Sequence, residues 1–127
     1  MTILIDSHIY IWLLFESYRF SPATKRTLQT AEELYVSIAS LTELTFKHGS
    51  GKLKYNPANL CQGLAEANIH LLAITNRHLE KYAEISLSHK DPFDRLLIAQ
   101  AQCENLPLLT ADQTLLDSSY PTIDARK

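Results

Sequence analysis

"DPFDRLLIAQAQCENLPLLTAD", residues 91–112, reads as a helix, a turn and a strand in that order. Asp91 followed by Pro92 is helix-entry chemistry: a carboxylate at the N-cap, then a residue whose fixed φ suits the first helical position. The apolar run that follows sustains a helix over 91–105, and "LPLLTA" (106–111) is short, apolar and strand-like. A helix of this length leading into a buried strand is half of a βαβ crossover, which joins parallel strands. Working outward, the same alternation recurs. Strands are expected at 2–6, 34–38, 70–74 and 106–111, with a last edge strand at 121–124. Between them lie helical patterns at 8–15, 21–33, 40–51, 56–68 and 75–87, and a short helical turn follows Asp112. Right-handed crossovers of this kind build an α/β protein, a three-layer α/β/α sandwich around a mainly parallel four- or five-stranded sheet.

The 127 residues suit one domain spanning 1–127. With 46% apolar and 20% charged residues the chain reads as soluble and globular, and no stretch is polar enough for disorder. A net charge of −2 excludes a simple electrostatic nucleic-acid binder, though not an enzyme with a local basic patch. Cys61 and Cys103 fall in separate helices without metal-ligand spacing, so buried or half-buried free thiols in a reducing compartment are expected. "MTILIDSHIYIWLLF" lacks a basic n-region and is interrupted by Asp6 and His8, unlike a signal peptide or a membrane span. A cytoplasmic protein with no membrane partner is the expectation.

Sheets of this kind form sites beyond the carboxyl ends of their strands. Asp6 closes the first strand and Glu43 lies one helical turn past the second. Asp94 opens the helix that leads into 106–111, and Asp112 follows that strand. Three of these regions have a plainer reading. Ser40-Leu41-Thr42-Glu43 fits a capping box, Asp91 an N-cap with Asp94 at the positive helix end, and Asp112 a cap of the following turn. Asp6, at the end of an apolar strand, has no such explanation in helix propensity. Several carboxylates at one sheet edge would repel one another and raise each other's pKa unless a cation lay among them. Oxygen-only ligands suit Mg²⁺ or Mn²⁺, which polarise phosphoryl oxygens and activate water, so phosphodiester hydrolysis is the chemistry this set would serve.

Three segments carry a family resemblance: "ILIDSHIYIWLL" (3–14), "VSIASLTELTFKHGSGKL" (36–53) and "HKDPFDRLLIAQAQCENLPLLTAD" (89–112). In this order and spacing the chain resembles the PIN-domain ribonucleases, and more narrowly the VapC-type toxins of bacterial type II toxin–antitoxin pairs. The resemblance implies a metal-dependent endoribonuclease in which Asp6, Glu43, Asp94 and Asp112 are the catalytic acids and hold one or two Mg²⁺ or Mn²⁺ ions. Ser7, Thr110 and Asp91 would support that site; Asp91 belongs to a "DPFD" signature and is not one of the usual four. A Trp often precedes the family's glutamate, where this chain has Leu41-Thr42; the departure touches packing and no carboxylate.

Lys52, Lys54, Lys90 and Arg95 are candidate phosphate contacts, with solvated surface charge as the equal alternative. His8, His48 and His89 receive no role. The first helix is apolar all round through "IYIWLLF" (9–15), which means either full burial or an exposed groove. On the second reading Tyr10, Trp12 and Phe15 would contact an antitoxin or a second copy. The implied partners are an RNA substrate, a cognate antitoxin and a homodimer, with a higher toxin–antitoxin complex beyond it. Alternatives are a non-catalytic binding module of the same fold and a DNA-directed nuclease. A phosphoryl-receiving signalling domain fits poorly, since Asp6 is unpaired and no Lys follows a late strand before Lys127.

Overall fold

The computed structural model describes residues 1–85 and 91–127. β1 (Thr2–Ile5) leads into α1 (Ser7–Phe15), a 3₁₀ turn at Ser17–Arg19 and α2 (Pro22–Thr30). β2 (Glu33–Ser37), α3 (Ile38–Gly49), α4 (Pro57–Glu66) and β3 (His70–Leu72) follow. The chain ends with α5 (Asn76–Glu84), α6 (Pro92–Glu104), β4 (Leu108–Thr110), α7 (Gln113–Leu116) and β5 (Thr122–Asp124). Among the described residues the strands form one sheet of five, ordered β3-β2-β1-β4-β5. Every pairing is parallel. The expected α/β/α architecture is therefore the one observed.

β1 lies at the centre and is buried on both sides. Ile3 and Ile5 join a core with Ile9 and Tyr10 of α1, Leu41 and Leu44 of α3 and Leu60 of α4. Leu4 points the other way, into a second core with Leu97, Ile98 and Ala101 of α6 and Leu115 of α7. The period of two along a strand thus supplies both interfaces of the sandwich. The chain runs from β1 to β2 on one side, while β4 pairs on the other, so the switch point of the sheet lies between β1 and β4.

Most boundaries differ from expectation by a few residues, and one difference matters. α3 starts at Ile38, because the Ser37 hydroxyl caps it by accepting from the Ala39 N–H at 2.9 Å. Ser40 is thereby inside the helix, so the expected Ser40–Glu43 capping box does not form, and Glu43 lies mid-helix with no capping duty. Ser37 is held in turn by Gln100 of α6, a buried side chain that also donates to the Ala73 carbonyl at 3.3 Å. For α5, expected over 75–87, Thr75 is the cap as anticipated and the helix closes at Glu84 with Ile85 as its C-cap, while 86–87 lie outside the described residues. Cys61 is exposed and Cys103 half-buried, so the expectation of burial fails for Cys61. Among the described residues no helix is long and apolar enough to cross a membrane.

Candidate active site

Parallel pairing of β1 with β4 brings Asp6 out level with Thr110 at the carboxyl edge of the sheet, with Asp112 two residues further on. Glu43 arrives from α3 and Asp94 from the first turn of α6. All four line one cavity of about 120 Å³, room for several water-sized groups, together with Ser7, Asp91 and Lys47.

Asp6 is 3% exposed. One carboxylate oxygen accepts the Ile9 N–H at 2.8 Å, making Asp6 the N-cap of α1. Asp6 therefore does have a helix-capping role, which a strand-end position in the sequence concealed. Its other oxygen accepts the hydroxyl of Thr110, itself fully buried at the end of β4. Thr110 Oγ1 also accepts the Asp112 N–H at 3.0 Å, so one hydroxyl ties two acids together. Burial pushes the Asp6 pKa up, and the Asp112 charge adds to it; the Thr110 and Ile9 hydrogen bonds and nearby His8 act against that rise.

Asp91 is the N-cap of α6, accepting from the Phe93 N–H at 2.8 Å and the Asp94 N–H at 3.2 Å. Asp112 caps α7 through the Thr114 N–H at 2.9 Å. Asp94 caps nothing. Its pKa is pushed up to about 7, first by burial and then by the charges of Asp91, Asp112, Glu43 and Asp6. Repulsion among the acids, anticipated from their positions in the chain, thus falls on Asp94, a carboxylate with no backbone donor among the described residues to stabilise its charge.

Glu43 pairs with Lys47 at 3.5 Å, one turn further along α3. Lys47 was not singled out from the sequence, although the i,i+4 spacing from Glu43 was the signal available. Ser40 and Phe93 also line the cavity, as does His8, earlier left without a role.

The candidate phosphate contacts fare unequally. Lys52 lines an adjoining groove that shares His8 and Lys47 with the acid cavity. Lys54 is exposed and lies over the Tyr55 ring, its Nζ 5.2 Å from the centroid. Arg95 donates to the Tyr82 and Ile85 carbonyls at 3.2 and 2.9 Å and stacks on Tyr82. Its guanidinium clasps the end of α5, which corrects the phosphate assignment. Lys90 lies outside the described residues. In α1, Tyr10 is fully buried, with its hydroxyl donating to the Leu60 carbonyl, so it is core and not a partner contact. Trp12 is half-buried and Phe15 is 40% exposed, stacked on Tyr55.

A hard divalent cation fits this donor set by its chemistry: carboxylates and hydroxyls, with no sulfur. Asp6, Asp91 and Asp112 each commit an oxygen to a helix N-terminus, and among the described residues no three His, Cys, Asp or Glu side chains already stand close enough to form a metal shell. The remaining carboxylate oxygens are the ones available to an ion.

A parallel α/β/α domain with an acid pocket at its switch point is the class that this geometry defines. The sequence model of the PIN domain matches residues 3–118, and the chain belongs to the PIN-domain family. It is 30% identical to the curated Ribonuclease VapC22 of Mycobacterium tuberculosis over 123 residues, 94% of each chain. In structure it is similar to VapBC-1 from nontypeable Haemophilus influenzae, with a TM-score of 0.74 at 16% identity and all of both chains covered. A DNA-bound VapBC from Salmonella typhimurium gives 0.71 at 15% identity over 98% of each chain. At those identities the structural likeness speaks for the fold alone.

Proposed function

We propose that the chain is a divalent-metal-dependent endoribonuclease that hydrolyses RNA phosphodiester bonds and serves as the toxin of a toxin–antitoxin pair. The observation that carries this reading is the convergence of Asp6, Glu43, Asp94 and Asp112, from four separate elements, on one cavity in which Asp94 is held near neutrality. A fold gains nothing in stability from such crowding, so a cation is its natural counterpart. The 30%-identical ribonuclease supports RNA as the substrate class.

Asp6, Glu43, Asp94 and Asp112 would hold one or two Mg²⁺ or Mn²⁺ ions. When bound, such a cation supplies Lewis-acid polarisation of the phosphoryl group and activation of the attacking water. The chain's own residues prepare the pocket. Thr110 fixes the direction of Asp6, and the α1 and α6 N-termini, capped by Asp6 and Asp91, offset part of the negative charge. Lys47, one turn beyond Glu43 on α3, is the lysine of the wall among the described residues, suited to draw a phosphate inward. A neutralising antitoxin is the partner that the VapC-type resemblance implies, and solved toxin–antitoxin complexes share the fold. Trp12 and Phe15 of α1 are the antitoxin's candidate contacts, a homodimer is the expected assembly, and the cytoplasm the expected location.

The test is cleavage of RNA and of DNA of the same sequence by purified protein with Mn²⁺, with Mg²⁺ and with excess EDTA. RNA alone should be cut, only with metal, and Asp6→Asn and Asp94→Asn should each lose about 100-fold or more. Asp91→Asn should keep most activity, because Asn also caps well. Cleavage that persists in EDTA or survives Asp6→Asn would sink the mechanism, and equal losses for Asp91→Asn and Asp94→Asn would overturn the division of roles between them.

A further inference from the structure

An aromatic pair with one exposed ring stands beside the acid pocket. Phe46 is 65% exposed, while the buried residues of α3 are Ala39, Ser40, Leu41 and Leu44. Its ring meets Phe93 of α6 edge-on, with centroids 5.9 Å apart and planes at 71°. Phe93 is half-buried and lines the acid cavity, so the pair runs from the cavity wall out to solvent. Both rings sit on the helices that carry the acids: Phe46 three residues beyond Glu43, Phe93 immediately before Asp94. The other aromatics near the pocket are already covered. Tyr55 lies between Phe15 and Lys54, and Trp12 lies under Arg19.

Leaving a large ring in water forfeits its burial, and nothing in the packing of α3 requires one at position 46. A phenyl ring has no hydrogen-bonding group, so what it offers at the edge of a phosphate-handling pocket is a face for another flat ring. We propose that Phe46 and Phe93 form a stacking platform for an unpaired base next to the phosphodiester being cut. The proposal rests on the nuclease reading above. It implies a preference for single-stranded segments, since bases in a duplex are already stacked on each other, with little demand on which base is presented.

The experiment uses a short unstructured oligoribonucleotide that the parent protein cuts with Mn²⁺, prepared also with an abasic residue at each position in turn. In the parent, one abasic position beside the cut should lower kcat/KM about 10-fold. Phe46→Ala should lose about the same on the intact strand, chiefly through KM, with unchanged Tm because the ring is exposed; Phe46→Tyr should retain activity. The decisive result is coupling: in Phe46→Ala that abasic position should cost nothing further. Equal abasic losses in parent and variant would overturn the platform, as would Phe46→Ala cutting like the parent. A change of oligomeric state with unaltered kcat/KM would also overturn it, assigning the ring to a protein contact. Failure of the parent to cut any RNA would remove the nuclease reading itself, a separate outcome.

Discussion

Asp94, a proposed metal ligand, shows at the scale of one residue how the crowding of a site can run against stability. Its folded pKa of about 7 lies above the ordinary 3.8, so folding favours its protonated form. Stability present at acid pH is therefore lost as pH rises through about 7. In metal-free protein at pH 8, Asp94→Asn should raise stability by about 1–2 kcal/mol, allowing for solvent screening in a partly open pocket, and the gain should fall to about half or less at pH 5 and vanish only below the unfolded pKa of 3.8. Thermal melts in EDTA at the two pH values measure both. Thr110 acts through another group: its hydroxyl orients Asp6 and anchors the Asp112 amide. Thr110→Val, of equal shape, should lower kcat about 10–100-fold with the fold intact, whereas Thr110→Ser should retain most activity. If Val were as active as Thr, the hydroxyl would be structural only.

At the scale of elements, the acid site depends on where helices begin. α1, α6 and α7 all start at an aspartate facing the pocket, so capping and site-building are done by the same side chains. α3 is the exception, capped by Ser37, which leaves Glu43 free to face the pocket. The buried Gln100 side chain joins that cap to the segment before α5 through Ser37 and the Ala73 carbonyl. Gln100→Leu would leave a carbonyl without its donor and loosen the α3 start. A loss of about 1–3 kcal/mol is expected, read from urea unfolding. Wild-type stability in that variant would show that water replaces the amide at no cost.

For the whole molecule, the expectation concerns metal and fold together. A ligand that binds only the folded chain stabilises it by mass action, about 2.7 kcal/mol at 100 times Kd. Mn²⁺ should therefore raise Tm by roughly 10 °C in a protein of this size. The rise should be larger at pH 8 than at pH 6, because the Asp94 proton must leave first. Asp6→Asn and Asp94→Asn should abolish most of it, with no need of an activity assay. An equal rise in those variants would place the cation elsewhere on the surface.

The architecture was legible in the chain because its signals are local. Asp-Pro, Ser-Pro and Asn-Pro entries, short apolar strands and helices long enough to force crossovers each depend on neighbours a few residues away. The four acids were legible for the same reason, as polar interruptions at strand and helix ends. What stayed hidden depends on contacts between distant segments. Asp6 became a buried cap held by Thr110, 104 positions away. Arg95 turned to the end of α5, Tyr10 reached Leu60, and the Ser40 capping box gave way to Ser37 under Gln100. Periodicity and capping rules see one turn of backbone, while burial, charge repulsion and the partner of a long side chain are set by whatever the fold brings alongside. Asp91 as a cap was legible from the proline after it; that Asp94 is an acid held near neutrality was decided only by that juxtaposition.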